Sequence, residues 1–569
     1  MKPKEKTGFP SKDRTHLKGI SRSKLNPPIF SLSLLETFRL INARSMDKVA
    51  LEDGGVFYTK RRIDDDAILL AKALVTLGHA EEETLTICMK NLFEGVVLTF
   101  AANAIGLKVA YGNYQGSLEL LVEEMNEHES TALAVFDRDA EFAEGMFKRV
   151  PTLRSIINIE PPGKTGETVG MISLGRTFVS YDGIRRQAKN HFQGSIRARL
   201  ARNTFSKKER IFLQTSGSTA VRPKCLPFTN ENIFAMLMYA KNSTGTKTHD
   251  KTVAKVLCIL SYRHPYGWMT MFVNLLGGNR VVLAKGYSAE EIGKWYRDKP
   301  SYIYGTPQFL RQFMAETPEK ADLSFLRAFF CAGMETPEEL FEEAGEYFLK
   351  HNSGAEVRNN YGIGETLCVG TASDGVPHRA GTSGKFYVGP EWVIVDEDLN
   401  EVPYGTIGEL LVRSKSMISR YFNNPEETKN SFIKFRGKTF FRTGDFVSLA
   451  EDGYVTFHGR KKRFYQPKDS NDKVNCETIE KALLGAKEIV LETAVEIYQL
   501  PDKSNSSCAF IVLESGVEKS DETREKLFDF LRTKIRPFEM PTKIEFLDEL
   551  PLMASGKVNH KFLESLLKS

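Results

Sequence analysis

A short loop rich in small hydroxylated residues is the clearest sign of chemistry in this chain. Its sequence is TSGSTAVRPK, from Thr215 to Lys224, and it directly follows the apolar run Ile211–Leu213. A loop of this kind after a strand can turn its backbone N–H groups toward phosphate oxygens, while Lys224 adds a positive charge. The common phosphate-loop pattern GxxxxGK[ST] does not occur in the sequence. Taken alone, the loop is also compatible with a plain surface turn.

Four further motifs follow in order along the chain. They are NNYGIGET at Asn359–Thr366, FRTGD at Phe441–Asp445, GRKK at Gly459–Lys462 and PLMASGK at Pro551–Lys557. Together with the loop, this order and spacing resembles the adenylate-forming superfamily, which includes acyl- and aryl-CoA synthetases, luciferases and peptide-synthetase adenylation domains. The resemblance covers roughly residues 30–569. It implies an ATP-dependent ligase that forms acyl-AMP from a carboxylic acid.

The resemblance implies that the loop grips the leaving phosphates of ATP. Two anions must approach each other in this reaction, so the site needs positive charge, a metal and backbone donors. The loop departs from the family pattern TSGTTGKPKG, since it is one residue longer before Pro223 and has Ala220 in place of a glycine. The residues expected to bind the nucleotide there are Thr215, Ser216, Gly217, Ser218, Thr219 and Lys224.

The motif NNYGIGET resembles the segment that holds adenine and the metal in this superfamily. Glu365 would bind Mg²⁺ between phosphate oxygens. The family usually has a threonine immediately before this glutamate, where the chain has Gly364. Either Thr366 or a water would then contact the α-phosphate. The adenine contacts implied by the resemblance are Asn359 and Asn360, with Tyr361 stacking on the ring.

The later motifs resemble the segments that hold ribose and carry the catalytic lysine. Asp445 is expected to accept both ribose hydroxyls, because a carboxylate presents two acceptor oxygens to a vicinal diol. Arg460 would assist at the ribose, and Lys462 stands at the family's hinge position. Lys557 would neutralise charge between the carboxylate and the α-phosphate, a task suited to a compact ammonium on a flexible stem.

Two other segments indicate the acid pocket. SYRHPYG places His264 where acyl- and aryl-CoA synthetases often carry a gating histidine, although a packed or surface histidine is the alternative. CAGMET would place Gly333 and Met334 beside adenine and the acyl group, with Met334 as an adaptable apolar wall. No aspartate occurs from residue 261 to 274, where α-amino acid adenylation domains usually hold the ammonium group. We therefore expect an aliphatic or aromatic acid without an α-amino group.

The segment after the hinge position departs most from the family. CoA ligases typically have a glycine there, where the pantetheine arm passes close to the backbone. The stretch Arg463–Glu480 contains no glycine, and Asp469, Ser470 and Asn471 can form the expected turn. Asp469 and Asp472 would add charge near an anionic cofactor. Free CoA is therefore expected to be a poor acceptor, compared with a carrier-protein thiol or an amine.

The elements that position these motifs follow an alternation of helical and strand-like stretches up to about residue 390. Parallel sheets place chemistry at the carboxyl ends of their strands, and both the loop and NNYGIGET follow strand-like runs. The fold class is thus α/β. We expect a basic flexible tail (1–28), a large adenylating domain with parallel-sheet subdomains and a β-rich subdomain (29–460), and a small, mobile α+β C-terminal domain (461–569).

Composition fits such an enzyme and excludes other classes. The 569 residues are 41% apolar and 27% charged, with no apolar run long enough for a membrane helix. Residues 1–28 contain eight Lys/Arg and two acids, a local excess of six, so the net charge of +5 leaves −1 for the remainder. We expect this tail to be disordered rather than to bind nucleic acid. The seven scattered cysteines favour reduced thiols, a cytoplasmic location and no zinc site.

Three functions remain open at this stage. The first is a ligase that uses ATP and Mg²⁺ and passes the acyl group to a thiol of CoA or of an acyl or peptidyl carrier protein. The second is an acyl-AMP-forming amide ligase. The third is a degenerate nucleotide-binding homologue, suggested by Ala220 and Gly364 but opposed by the joint presence of Glu365, Asp445 and Lys557.

Overall fold

Two sheets of mainly parallel strands form the framework of the large domain. The computed structural model describes residues 7–14, 17, 20–114, 116–161, 169–171, 176–189, 194–215, 223–243, 254–285, 289–334, 336–368, 370–372, 379–467, 474–552 and 558–567. In spatial order the first sheet contains Glu356–Asn359, Ala328–Cys331, Tyr302–Gly305, Lys255–Cys258, Arg280–Leu283, Val49–Asp53 and Val56–Thr59. The second contains Cys225–Thr229, Glu209–Gln214, Lys108–Tyr111, Thr84–Cys88, Ser130–Phe136, Ser155–Ile159, Thr177–Ser180 and Val169–Met171.

Antiparallel pairs occur only at sheet edges in these two described sheets. One of them, Glu209–Gln214 with Cys225–Thr229, flanks the hydroxyl-rich loop. The crossover helices explain the predicted alternation, because parallel neighbours need a connection that returns the chain to the same edge. The helices packed with the two sheets, which include these crossovers, are Leu34–Asn42, Lys60–Thr76, Phe93–Ala104, Leu118–Glu127, Ala140–Arg149, Tyr181–Ala188, Gly194–Asn203, Asn230–Ser243, Pro265–Leu276, Ala289–Asp298, Pro307–Glu316 and Glu338–Lys350.

The apolar core lies where the two sheets pack through shared helices. Phe93–Ala104 and Pro265–Leu276 are buried on almost every side, and Trp268 stacks on Phe272 with ring centroids 4.5 Å apart. The close packing explains Gly267, because a Cβ there would lie 2.1 Å from the carbonyl oxygen of Ser261. A rigid core thus fixes the N-terminus of the helix that begins just after His264.

A β-rich region and a small α+β region complete the chain. The β-rich region has Glu391–Val395, Gly408–Arg413, Lys438–Leu449, Phe432–Phe435 and Val455–Arg460, with Thr371–Ala372 and Lys385–Phe386 paired nearby and the helix Pro425–Ser431. The α+β region has Phe464–Tyr465, Val474–Asn475, Val490–Gln499, Asn505–Leu513 and Lys543–Leu547, with helices Cys476–Leu484, Asp521–Arg532 and His560–Leu566. Short 3₁₀ turns lie at Gly364–Thr366, Lys461–Arg463 and Pro537–Glu539. The α+β region has an apolar core of its own.

Part of the N-terminal segment contacts the β-rich region. The short helices Pro10–Asp13 and Arg22–Leu25 lie within it. Ser11 donates its backbone N–H to a carboxylate oxygen of Glu401 at 2.8 Å, and Arg436 pairs with the same carboxylate at 2.9 Å. Because the Glu401 side chain is only 3% exposed, it requires such donors. Residues 7–14 are therefore anchored on the β-rich region, through a partner almost 400 residues away in sequence.

Candidate active site

A cleft with a volume of about 3380 Å³ brings most of the predicted residues together. Its walls come from the first parallel sheet, the β-rich region and the C-terminal region. The predicted residues that line it are Thr215, Lys224, His264, Gly333, Met334, Asn359, Asn360, Tyr361, Glu365, Arg460 and Lys462. Ser216, Gly217, Ser218, Thr219 and Lys557 lie outside the described residues, as do Ala220 and the turn 469–472.

The base of the hydroxyl-rich loop is closed by two reciprocal hydrogen bonds. The backbone N–H of Thr215 donates to the carbonyl of Lys224 at 2.9 Å, and the N–H of Lys224 donates to the Thr215 hydroxyl at 3.0 Å. The Lys224 ammonium forms an ion pair with Glu427 and lies 4.9 Å from the ring centroid of Tyr421. The loop therefore starts and ends at one edge of the cleft, with its lysine already paired.

Glu365 faces the cleft from the 3₁₀ turn Gly364–Thr366. It accepts a hydrogen bond from the Tyr421 hydroxyl at 2.7 Å, and its carbonyl accepts the N–H of Ile418 at 2.9 Å. Among the described residues, no group of three or more His, Cys, Asp or Glu side chains could hold a metal. A single carboxylate fits Mg²⁺ nevertheless, because this ion is commonly held by one or two carboxylates together with substrate phosphates.

Thr366 does not line the cleft. Its side chain is fully buried, and its hydroxyl donates to the carbonyl of Ile363 at 3.0 Å. Its own carbonyl accepts the Ser416 hydroxyl at 2.9 Å. The left-handed backbone at Leu367, with φ of 54°, ends the 3₁₀ turn immediately afterwards. The position of its side chain therefore disfavours Thr366 as a ligand of the α-phosphate and favours the alternative, in which a water makes that contact.

Asp445 is completely buried beneath Tyr361 and Arg460. The Tyr361 hydroxyl donates to one carboxylate oxygen, and the Arg460 Nε atom lies 2.7 Å from the other. Burial raises the pKa of Asp445, while the Arg460 charge acts in the opposite direction. The oxygen facing Arg460 has no hydrogen bond of good alignment. One carboxylate oxygen of Asp445 thus keeps acceptor capacity, while the other is occupied by the Tyr361 hydroxyl.

Asn359 and Asn360, the other residues predicted to contact adenine, have hydrogen-bond partners within the chain. The side-chain oxygen of Asn359 accepts the Thr336 hydroxyl at 3.2 Å, and its amide donates to the carbonyl of Thr382 at 3.4 Å. The backbone N–H of Asn360 donates to the carbonyl of Cys331 at 2.9 Å. Both asparagines therefore lie at the carboxyl end of the strand Glu356–Asn359, and Asn360 is bonded to the end of the neighbouring parallel strand Ala328–Cys331.

The wall of the cleft near His264, predicted to border the acid substrate, is largely aromatic. His264 precedes the helix Pro265–Leu276, and its Nδ1 atom lies 3.1 Å from the carbonyl oxygen of Gln214. The Tyr266 hydroxyl lies 3.3 Å from the carbonyl of Phe330, and Tyr304 stacks on the Phe330 ring with centroids 4.6 Å apart. This wall offers an apolar surface for an aliphatic or aromatic group.

The hinge candidate and the segments beside Lys557 face the cleft from the C-terminal side. Lys462 is exposed in the turn Lys461–Arg463, whereas the Arg463 guanidinium is held by Glu480 at 2.5 Å. Leu552 and Val558 pair across the segment that contains Lys557. The N–H of Asn559 donates to the carbonyl of Pro551 at 2.7 Å. Both ends of that segment are therefore fixed in place.

Sequence reasoning missed Tyr421 and Glu427, which link the loop lysine to Glu365. Both follow the strand Gly408–Arg413 in the segment YFNNPEET, which belongs to none of the five motifs. A usable signal was present, since an aromatic residue and an acid flank a helix-starting Asn-Pro pair after a buried strand. Their partners, Glu365 for Tyr421 and Lys224 for Glu427, are brought close only by the fold.

Comparisons with known proteins agree with this architecture. The sequence model described as AMP-binding enzyme matches residues 38–422, and that of the AMP-binding enzyme C-terminal domain matches residues 478–557. Benzoate–CoA ligase of Thauera aromatica is 28% identical over 359 residues, which are 62% of this chain and 65% of that protein. Triostin synthetase I of Streptomyces triostinicus is 26% identical over 537 residues, 92% of this chain and 93% of that protein.

The fold also matches solved structures. The crystal structure of the anthranilate CoA ligase AuaEII in complex with anthranoyl-AMP superposes with a TM-score of 0.79 and 22% identity. The match covers 95% of this chain and 98% of that one. Among the residues the structure describes, no helix has the length and apolar character needed to cross a bilayer.

Proposed function

Because the chain belongs to the AMP-binding enzymes of the adenylate-forming superfamily, we propose that it is an acid–thiol ligase. In the first step a carboxylate oxygen attacks the α-phosphorus of ATP, the bond to the β-phosphate breaks, and pyrophosphate leaves. In the second step a sulfur attacks the acyl carbon, AMP leaves, and the thiol proton passes to solvent. The substrate is a carboxylic acid without an α-amino group.

The observation that carries this proposal is the meeting of Lys224, Glu365 and Arg460 at one cleft. Lys224 would compensate phosphate charge, and Glu365 would hold the metal. When bound, Mg²⁺ would neutralise phosphate oxygens and orient the leaving group. Arg460 and Asp445 would hold the ribose, and Tyr361 would cover the adenine.

The remaining catalytic assignments rest on the sequence motifs. Thr215, Ser216, Gly217, Ser218 and Thr219 would donate to the leaving phosphates. Lys557 would approach the carboxylate and α-phosphate from the C-terminal side, with Lys462 as the hinge. His264 would gate the acid pocket, which Gly333 and Met334 border.

The aromatic wall supports an aliphatic or aromatic acid. Tyr304 and Phe330 present ring faces and edges. The helix Pro265–Leu276, which begins beside this wall, contains no acidic residue that could pair with an α-ammonium. We further propose that the enzyme works in the cytoplasm, since its seven cysteines are free thiols.

We infer that the acceptor is a carrier-bound thiol rather than free CoA, with an amine as the second candidate. The support is the glycine-free stretch Arg463–Glu480 and its acidic residues Asp469 and Asp472, which would stand near an anionic cofactor. The test is single-turnover transfer from preformed acyl-AMP to CoA, to carrier proteins and to simple amines. Fast, saturable thioester formation at micromolar CoA would refute this inference.

The experiment that tests the first step is ATP–pyrophosphate exchange with a panel of carboxylic acids. We expect exchange that depends on an apolar acid and on Mg²⁺. An α-amino acid as the best substrate would contradict the proposed acid class, and ATP binding without exchange for any acid would favour the degenerate homologue.

A further inference from the structure

Lys224, the lysine at the end of the hydroxyl-rich loop, forms an ion pair that none of the family motifs predicts. The Lys224 ammonium pairs with Glu427 of the helix Pro425–Ser431, which is 203 residues away along the chain. The Lys224 side chain is 25% exposed and that of Glu427 is 34% exposed, so both groups are partly shielded from water. Burial would raise the pKa of Glu427, but the hydrogen bond and charge of Lys224 lower it below its ordinary value. Glu427 is therefore ionised at neutral pH.

The carboxylate of Glu427 is held independently of the lysine. The Ser431 hydroxyl donates to it at 3.3 Å. The backbone N–H of Glu427 donates to the side chain of Asn424, the N-cap residue, at 3.1 Å. Lys224, in contrast, has a long flexible stem and can turn away. Glu427 is thus held in place more firmly than Lys224, so the lysine is the residue that would leave the ion pair to bind a phosphate.

We propose that Glu427 is a positioning residue that competes with nucleotide phosphates for Lys224. The inference rests on the proposed function, in which Lys224 binds phosphate. When the Lys224 ammonium turns to a phosphate, its ion pair with the Glu427 carboxylate is broken. The free energy lost with that pair makes ATP binding correspondingly weaker. The same carboxylate recaptures the lysine when pyrophosphate leaves, which favours product release.

The size of the effect follows from the partial exposure of the pair. Ion pairs of this kind contribute about 0.2–1 kcal/mol, which corresponds to about a 1.4- to 5-fold change in affinity. We therefore expect E427Q to bind MgATP about 1.4- to 5-fold more tightly than the wild type. The KM for ATP should fall while kcat does not rise, and pyrophosphate should inhibit more strongly.

The matched control is E426Q, which changes the adjacent glutamate of the same helix. Glu426 is exposed, and the described contacts give it no ion pair. Calorimetric titration with MgATP should give the wild-type affinity for E426Q. Equal tightening in E426Q and E427Q would overturn the proposal, because it would show a general effect of net charge. Unchanged or weaker binding in E427Q would also overturn it.

A double-mutant cycle with K224A separates this proposal from the assignment of Lys224 itself. We expect K224A to weaken MgATP binding and E427Q to have no further effect in the K224A background. If K224A weakens binding but E427Q alone does not tighten it, only the role of Glu427 fails. If K224A binds MgATP like the wild type, the phosphate assignment and the role of Glu427 both fail.

Discussion

Removal of one hydroxyl group tests the link between Tyr421 and Glu365. In Y421F the ring stays, so its contact with Lys224 at 4.9 Å and its edge-on packing against Phe432 at 6.1 Å are retained. The lost interaction is the 2.7 Å hydrogen bond to the Glu365 carboxylate. The Tyr421 side chain is 2% exposed, so little water reaches that position to replace the hydroxyl.

The expected loss follows from the charge of the acceptor. Hydrogen bonds to charged groups contribute about 1.5–3 kcal/mol. Glu365 is half-buried and keeps access to solvent, so we expect a loss at the lower end of this energy range, which is equivalent to about a tenfold change in an equilibrium constant. Because Glu365 would bind the metal, the defect should be a tenfold higher Mg²⁺ requirement for acid-dependent exchange.

The assay is ATP–pyrophosphate exchange at increasing Mg²⁺ and saturating ATP. The matched control is Y465F, which removes the same group from a tyrosine bonded to Ser507 in the C-terminal core at 2.9 Å. We expect Y465F to retain the wild-type Mg²⁺ dependence. An unchanged Mg²⁺ dependence in Y421F would refute the reasoning that Tyr421 orients a metal-binding Glu365.

Other expected outcomes concern ribose binding, pH and packing. D445A should mainly weaken nucleotide binding measured by calorimetry, whereas E365Q should mainly depress turnover; identical defects would contradict the separate roles. Burial raises the pKa of Asp298 to about 6, so the folded chain keeps a proton that the unfolded chain releases between about pH 4 and 6. Stability should therefore fall as pH rises through that window, and D298N should raise the thermal midpoint at pH 7.5 more than at pH 4; equal shifts would contradict this. G267A forces a Cβ to 2.1 Å from the Ser261 carbonyl and should cost about 1–3 kcal/mol in chemical denaturation; wild-type stability would show that the backbone yields freely.

The sequence predicted the fold and the family well, because both depend on local patterns. Short apolar or β-rich runs bounded by turns form strands such as Ala328–Cys331, Glu356–Asn359 and Lys543–Leu547, so local patterns identify them. The helix Lys60–Thr76 begins with a charged first turn that lacks apolar periodicity, so the pattern does not mark its start. The prediction of the α/β fold and of the adenylate-forming superfamily is confirmed.

Contacts between distant segments could not be predicted from the sequence. The Lys224–Glu427 pair and the anchoring of Ser11 on Glu401 join residues 203 and 390 positions apart. The burial of Thr366 depends on Ser416, which bonds to its carbonyl from another strand connection. Motif reasoning identifies residue types in a segment, but side-chain direction is set by the packing around it.

Lys557 gives the most direct test of the central claim, which is that this chain forms acyl-AMP. The measurement is acid-dependent ATP–pyrophosphate exchange in the wild type and in K557A, with MgATP affinity measured in parallel. We expect the wild type to exchange, and K557A to lose about 10²–10³ in rate while binding MgATP nearly normally, as for removal of one preorganised charge-stabilising group. Wild-type exchange rates in K557A would contradict the account.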